Sequence, residues 1–134
     1  MTMIGDPIAD MLARIRNAVQ REREEVSIPT SRKLESIAGI LQKEGFINKF
    51  EVKKDKGQPQ GELVLNLRYV NGFSAITDLR RVSKPGLRKY VTYKNIPNVR
   101  KGLGISIMTT STGIMTGKEA QDKKVGGELL AIIW

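Results

Sequence analysis

The sequence predicts an α+β fold in two parts. Residues 1–71 read as a small α/β domain, helix-strand-helix-strand-strand, and residues 72–134 as a β-rich domain with one short helix. Three observations predict it. In the first third, apolar residues recur at helical spacing in two separate stretches. From Phe46 onward, apolar and polar residues alternate in short runs broken by Gly, Pro and Asn. In the second half, Thr116-Gly117-Lys118-Glu119 has the spacing of a capping box, so one brief helix is expected there.

The elements follow in order. Asp6 can cap the first helix and Pro7 suits its first position. Ile8, Met11, Leu12, Ile15 and Val19 make its apolar stripe, with Arg14, Asn17 and Arg21 mainly off it. The charged stretch from Gln20 to Glu25 ends this helix, and Val26-Ser27-Ile28 is a short strand stopped by Pro29. A second helix starts near Thr30-Ser31, runs through Leu34, Ile37, Ala38 and Leu41, and stops at Gly45. Phe46, Phe50 and Val52, then Leu63, Leu65, Leu67 and Tyr69, form a hairpin around a polar loop from Asp55 to Gly61. Asn71-Gly72 is a turn signal and the expected domain boundary.

The second half opens with a strand over residues 73–82. Lys84-Pro85-Gly86 then forms a type II turn, and residues 88–93 return as a strand. The run Gly102 to Thr116, GLGISIMTTSTGIMT, reads as strand, tight turn and strand, with Thr109, Thr110, Ser111 and Thr112 at the bend and Gly113 closing it. Gly126-Gly127 releases a last strand, Glu128 to Trp134.

Charge and composition narrow the function. The formal net charge is +9 and the isoelectric point lies near 10.0, which points to a polyanionic partner. Residues 1–71 carry 12 basic and 10 acidic side chains, whereas residues 72–134 carry 11 and 4. The surplus therefore sits beside the hydroxyl-rich bend. With no cysteine and no histidine, thiolate chemistry, the commonest metal ligand and the commonest general base are all missing. No enzymatic activity, metal, cofactor or small-molecule substrate is expected. The first residues lack the pattern of a signal peptide, and the apolar run Leu129 to Trp134 is too short to cross a bilayer. A cytoplasmic protein is expected.

Each motif has two readings. Ser and Thr populate turns for ordinary reasons, yet hydroxyls that donate and accept also suit an RNA minor groove with its 2′-hydroxyls. Arg80, Arg81, Lys84, Arg88, Lys89 and Lys94, with Tyr90 and Tyr93 among them, could be a solvated face; their position in the basic half favours phosphate contact. Gly102 and Gly104 lack the third glycine and the helix of a dinucleotide site, and read as backbone bend and close approach. Ser111 has no histidine to activate it as a nucleophile. Glu128, in the less acidic half, is either a partner for a nearby arginine or an acceptor for a base amino group. A DNA-binding or protein-interaction module using the same basic half is the competing reading.

With these segments placed, the chain resembles bacterial small-subunit ribosomal protein S-eight. The resemblance is carried by Asp6-Pro7-Ile8-Ala9-Asp10-Met11-Leu12, Arg14-Ile15-Arg16-Asn17, Glu44-Gly45-Phe46-Ile47, Ser83-Lys84-Pro85-Gly86-Leu87-Arg88, Gly102-Leu103-Gly104-Ile105, Gly126-Gly127-Glu128 and Trp134. It implies an N-terminal α/β domain joined to a β-rich C-terminal domain, and primary binding to the central domain of 16S rRNA during small-subunit assembly. It implies further that Thr109, Thr110, Ser111 and Gly113 enter a distorted RNA helix at its minor groove, with Arg88, Tyr90 and Glu128 in support; Lys84, from the basic cluster, and Thr112, from the bend, complete the candidate RNA-binding residues. Asp6, Thr30, Ser31 and Arg32 would contact the RNA backbone from the N-terminal domain. Neighbouring small-subunit proteins and, in some bacteria, the messenger RNA of its own operon are further implied partners. This chain departs from the family pattern at Thr109, where serine is usual, at Thr112, where a basic residue is common, and at Gly117, where an acidic or amide residue often helps start the helix.

Overall fold

A computed structural model describes residues 6–54 and 61–134. The readings of Met1 to Gly5 and of the loop over 55–60 lie outside the described residues. The rest is α+β, and packing divides it into two compact units, Pro7–Ile76 and Thr77–Trp134, with Asp6 belonging to the second.

In the first unit, α1 (Pro7–Gln20) buries Ile8, Met11, Leu12, Ile15 and Ala18. Ala18 joins the buried face, whereas Val19, expected in the stripe, is half-buried. β1 (Glu25–Pro29) follows. α2 (Arg32–Lys43) is capped by Ser31, whose hydroxyl accepts from the Leu34 N–H at 3.3 Å. Leu34, Ile37, Ala38, Ile40 and Leu41 form its buried face.

β2 (Ile47–Lys53) and β3 (Glu62–Leu67) complete an antiparallel sheet in the order β1-β3-β2. Leu65 of β3 stands opposite Val26 on one side and Phe50 on the other. As the central strand, β3 buries Leu63, Val64, Leu65 and Leu67. Val52, part of the alternating apolar run, is 45% exposed; it lies near the end of the edge strand β2. Tyr69 and Val70 form β4, which pairs with β5 (Phe73–Ser74). Asn71 and Gly72, both at positive φ, make the two-residue turn between them. That turn belongs inside the first unit, and the division falls after Ile76.

The second unit is a five-stranded antiparallel sheet: β6 (Leu79–Arg81), β7 (Tyr90–Val91), β8 (Ile105–Thr110), β9 (Gly113–Thr116) and β10 (Gly127–Ile133). Its order is β6-β10-β8-β9, with β7 also paired to β10. Two expected strands are shorter than their patterns suggest. The run over 73–82 splits because Phe73 pairs with Val70 whereas Leu79 pairs with Ile133. The run over 88–93 keeps only Tyr90 and Val91, since these alone oppose Glu128 and Gly127; a 3-10 turn over Tyr93–Asn95 follows.

Thr116 caps α3 (Gly117–Asp122), accepting from the Glu119 N–H at 3.2 Å and donating to its carboxylate. Met108, Met115, Ala120, Leu129 and Ile96 form the core beneath this helix. A Cβ on Gly117 would sit 2.7 Å from Ile96 and closer still to the Ser106 hydroxyl, which accounts for glycine there in physical terms. Arg100 and Lys101, before β8, both adopt left-handed backbone, at φ 48° and 53°. Such geometry costs a non-glycine residue about 1–2 kcal/mol.

Asp6 is buried against Arg81, whose Nε lies 3.2 Å from its carboxylate; the side chains are 5% and 10% exposed respectively. Arg81 also donates to the Leu130 carbonyl at 2.7 Å. Removing one partner of a buried pair strands the other charge. Asp6→Ala should therefore destabilise the protein by about 3 kcal/mol in denaturant unfolding, and the double variant Asp6→Leu/Arg81→Met should recover most of the loss. A loss from Asp6→Ala below about 1 kcal/mol, the level of an exposed pair, would contradict this.

Candidate nucleic-acid interface

The hydroxyl-rich segment is a two-residue hairpin. Thr110 pairs with Gly113, which leaves Ser111 and Thr112 as the turn, and Gly113 adopts φ 121°. The Thr110 hydroxyl accepts from the Thr112 N–H at 3.2 Å, donates to the Gly113 carbonyl at 3.0 Å and lies 3.1 Å from the Thr112 hydroxyl. Thr110 is therefore the brace of its own turn. Ser111 is exposed at the tip, and its hydroxyl has no partner among the described residues. Four hydroxyls that look equivalent in the sequence thus divide the work, with Thr109 half-buried in β8.

β10 runs alongside. Glu128 stands opposite Thr109 of β8 and Tyr90 of β7, so the strand register brings the carboxylate to the root of the hairpin. A Cβ on Gly127 would lie 2.3 Å from the Thr109 carbonyl. Only glycine lets β10 approach that closely.

Glu128 Oε2 accepts from the Ser83 hydroxyl at 2.5 Å and from Arg88 Nη1 at 3.1 Å. The Ser83 hydroxyl in turn accepts from the Lys89 N–H at 3.2 Å. Burial pushes the Glu128 carboxyl up, but the bonds from Ser83 and Arg88, with the charges of Arg88 and Arg81, outweigh it and hold the group below the ordinary carboxylate value. The arginine-partner reading of Glu128 is thus realised in the geometry. Oε1 has no partner among the described residues and keeps its capacity to accept.

Ser83, Arg88 and Glu128 together fasten the basic turn to the sheet. Lys84 and Leu87 exchange two backbone hydrogen bonds, 3.0 and 2.9 Å, around Pro85 and Gly86, whose φ of 85° fits the type II geometry. Lys84 is exposed, and Tyr90 presents 72% of its surface to solvent. Ser83 itself is fully buried. Sequence reasoning did not single it out as a functional residue, because its role depends on a carboxylate far along the chain; its only signal was a place within the Ser83–Arg88 motif.

The remaining candidates are not gathered here. Asp6 is buried in its ion pair with Arg81 and does not present its carboxylate to an outside ligand. A carboxylate would in any case repel phosphate. Thr30, Ser31 and Arg32 belong to the first unit. The Thr30 hydroxyl donates to Glu35 at 2.9 Å and the Ser31 hydroxyl caps α2, while Arg32 is exposed at the first turn of that helix. Among the described residues, no cluster of carboxylates fit to hold a metal occurs. No helix among them is long and apolar enough to cross a membrane.

Comparison with known proteins agrees with this architecture. The family model described as Ribosomal protein S8 matches residues 6–134. The small ribosomal subunit protein uS8 of Persephonella marina is 53% identical over 136 residues, covering 98% of this chain and all of its own length. The protein of that name from Sulfurihydrogenibium is 48% identical with the same coverage. That from Mycoplasmopsis pulmonis is 50% identical over 135 residues and covers both chains completely. The chain belongs to the ribosomal protein S8 family, whose members are structural and not enzymatic parts of the ribosome.

Proposed function

We propose that this protein is a constituent of the small subunit of the cytoplasmic ribosome that binds a folded helix in the central domain of 16S rRNA and helps the subunit assemble around it. The observation that carries this reading is Ser111. Its hydroxyl is exposed and unpartnered at the tip of a hairpin that Thr110 holds rigid. A hydroxyl so placed can donate to and accept from the sugar edge of an RNA minor groove, which displays 2′-hydroxyls.

The neighbours supply complementary chemistry. Tyr90 offers an exposed ring for stacking, and Lys84 an exposed cation for phosphate. Glu128 Oε1 can accept from a base amino group, with Thr109, Thr112 and Gly113 shaping the approach. Arg88 shares its charge with Glu128 and serves mainly to hold that carboxylate in place. Arg32 is the contribution of the first unit to phosphate contact. The same surface could bind a messenger RNA folded like the ribosomal target, including that of its own operon.

Three outcomes test the reading. Ser111→Ala should weaken binding to the cognate rRNA helix by about 1 kcal/mol, roughly fivefold, and leave binding to a plain duplex nearly unchanged. Equal losses on both RNAs would remove Ser111 from recognition. Replacing ribose by deoxyribose in the helix should likewise cost most of the specific affinity; a phosphate-only binder would be indifferent. Lys84→Ala should instead weaken both complexes and flatten the salt dependence by about one unit, read from titrations at several ionic strengths.

The state of Glu128 gives a further check. Because folding lowers its pKa, the ionised group stabilises the native state above the ordinary carboxylate value, and that contribution fades as pH falls through the lowered native value. Glu128→Gln should therefore melt below the wild type at neutral pH, with the gap closing in acid. A gap independent of pH would show that the charge of Glu128 contributes nothing.

A further inference from the structure

The opposite end of the same sheet carries a second surface. β8 runs from Ile105, paired with Ile133, to the hairpin at Thr110, so the two ends lie roughly 17 Å apart along the strand. A cavity of about 350 Å³ extends along β10 from Leu129 to Trp134 at the far end. Val82, Leu129, Ile132, Pro97 and Val99 are among the residues that line it. Leu129 and Ile132 would face opposite sides of a regular strand. The bulge between Leu129 and Ala131 shifts the phase and brings both to this groove.

Two cations guard the rim. The guanidinium carbons of Arg100 and Arg80 lie 4.6 and 5.6 Å from the centre of the Trp134 ring. Both side chains are exposed, and neither has a carboxylate partner among the described residues. Two like charges held against one ring favour an anion between or beside them. Arg100 and its neighbour Lys101 are held in left-handed backbone by bonds from Leu103 N–H to the Arg100 carbonyl and from Gly104 N–H to the Val99 carbonyl. Strain of this kind persists where the surroundings over-determine it and clusters at binding surfaces. On the same loop, Leu103 is 84% exposed.

We propose that this groove docks a segment of another protein in which an apolar side chain stands beside one or more carboxylates. The apolar residue fills the cavity over Val82, Leu129 and Ile132, and its acidic neighbours pair with Arg80 and Arg100. Charge complementarity selects the acidic flank. Val82, Val99, Leu129 and Ile132 give the groove an aliphatic surface suited to an apolar side chain of a protein segment. This site is separate from the one assigned to RNA and extends the functional reading only in placing the protein within the small subunit.

The test uses the full chain in assembled small subunits, with Asn98, an exposed residue of the groove wall, replaced by the photoreactive residue p-benzoylphenylalanine. Irradiation and peptide mass spectrometry should identify a crosslinked protein segment carrying an aliphatic or aromatic residue within two or three positions of Asp or Glu. Adding Arg80→Glu and Arg100→Glu should reduce the yield at least tenfold; Arg100→Glu alone, outside the basic cluster around the Pro-Gly turn, should reduce it while affinity for the isolated rRNA helix stays unchanged. Crosslinks to rRNA, to a segment without carboxylates, or undiminished by the charge reversals would overturn the proposal, as would no crosslink from a chain that sediments with the subunit. A wild-type chain that fails to bind the isolated helix would instead overturn the RNA reading, and the crosslinking result would still judge the groove.

Discussion

The register of β10 against its three neighbours is the constraint on which the second unit depends. β8 pairs with it along most of its length, β7 near its start and β6 near its end. A slip of one residue would turn each side chain to the opposite face. The bulge that sets the phase is secured at one carbonyl: Leu130 accepts from the Val82 N–H at 2.9 Å and from Arg81 at 2.7 Å. Arg81 is itself fixed by buried Asp6. One ion pair thus reaches, through a bulge, to where Glu128 and Leu129 point.

From that register follows the chemistry at the hairpin end. Glu128 arrives between Thr109 and Tyr90 and gathers Ser83 and Arg88, so a basic turn that would otherwise wave in solvent is tied to a sheet. Thr110 does the same for the hairpin from within. Both devices remove conformational freedom before any ligand binds, and freedom already lost need not be lost again on binding. The groups left uncommitted, Ser111, Tyr90, Lys84 and Glu128 Oε1, are those with chemistry suited to an RNA surface.

The two ends of the sheet differ in kind. The hairpin end is polar, with hydroxyls, one anion and flanking cations. The far end is an aliphatic groove with two arginines stacked on one tryptophan. A high positive charge alone would suit any polyanion. The distribution of apolar surface sets the two ends apart in the chemistry each can offer a partner.

Periodicity, caps and turn residues were sufficient to read much of the fold. The two helices, the capping role of Thr116, the β2–β3 hairpin, the type II turn and the hydroxyl hairpin all rest on contacts within a few residues or on a period that local chemistry imposes. Charge asymmetry singled out the second half as the candidate binding surface. Distant partners decided the rest. Asp6 reads as a helix cap until Arg81 buries it, Val52 as part of an alternating apolar run until its strand proves to be an edge, and Val19 as part of the apolar stripe, though Ala18 is the more buried. Ser83 gains a role only beside Glu128, and Leu129 and Ile132 share a groove only because a bulge rephases them. Local sequence determines what a residue can do, whereas which of its hydrogen bonds are already spent depends on what the folded chain brings against it.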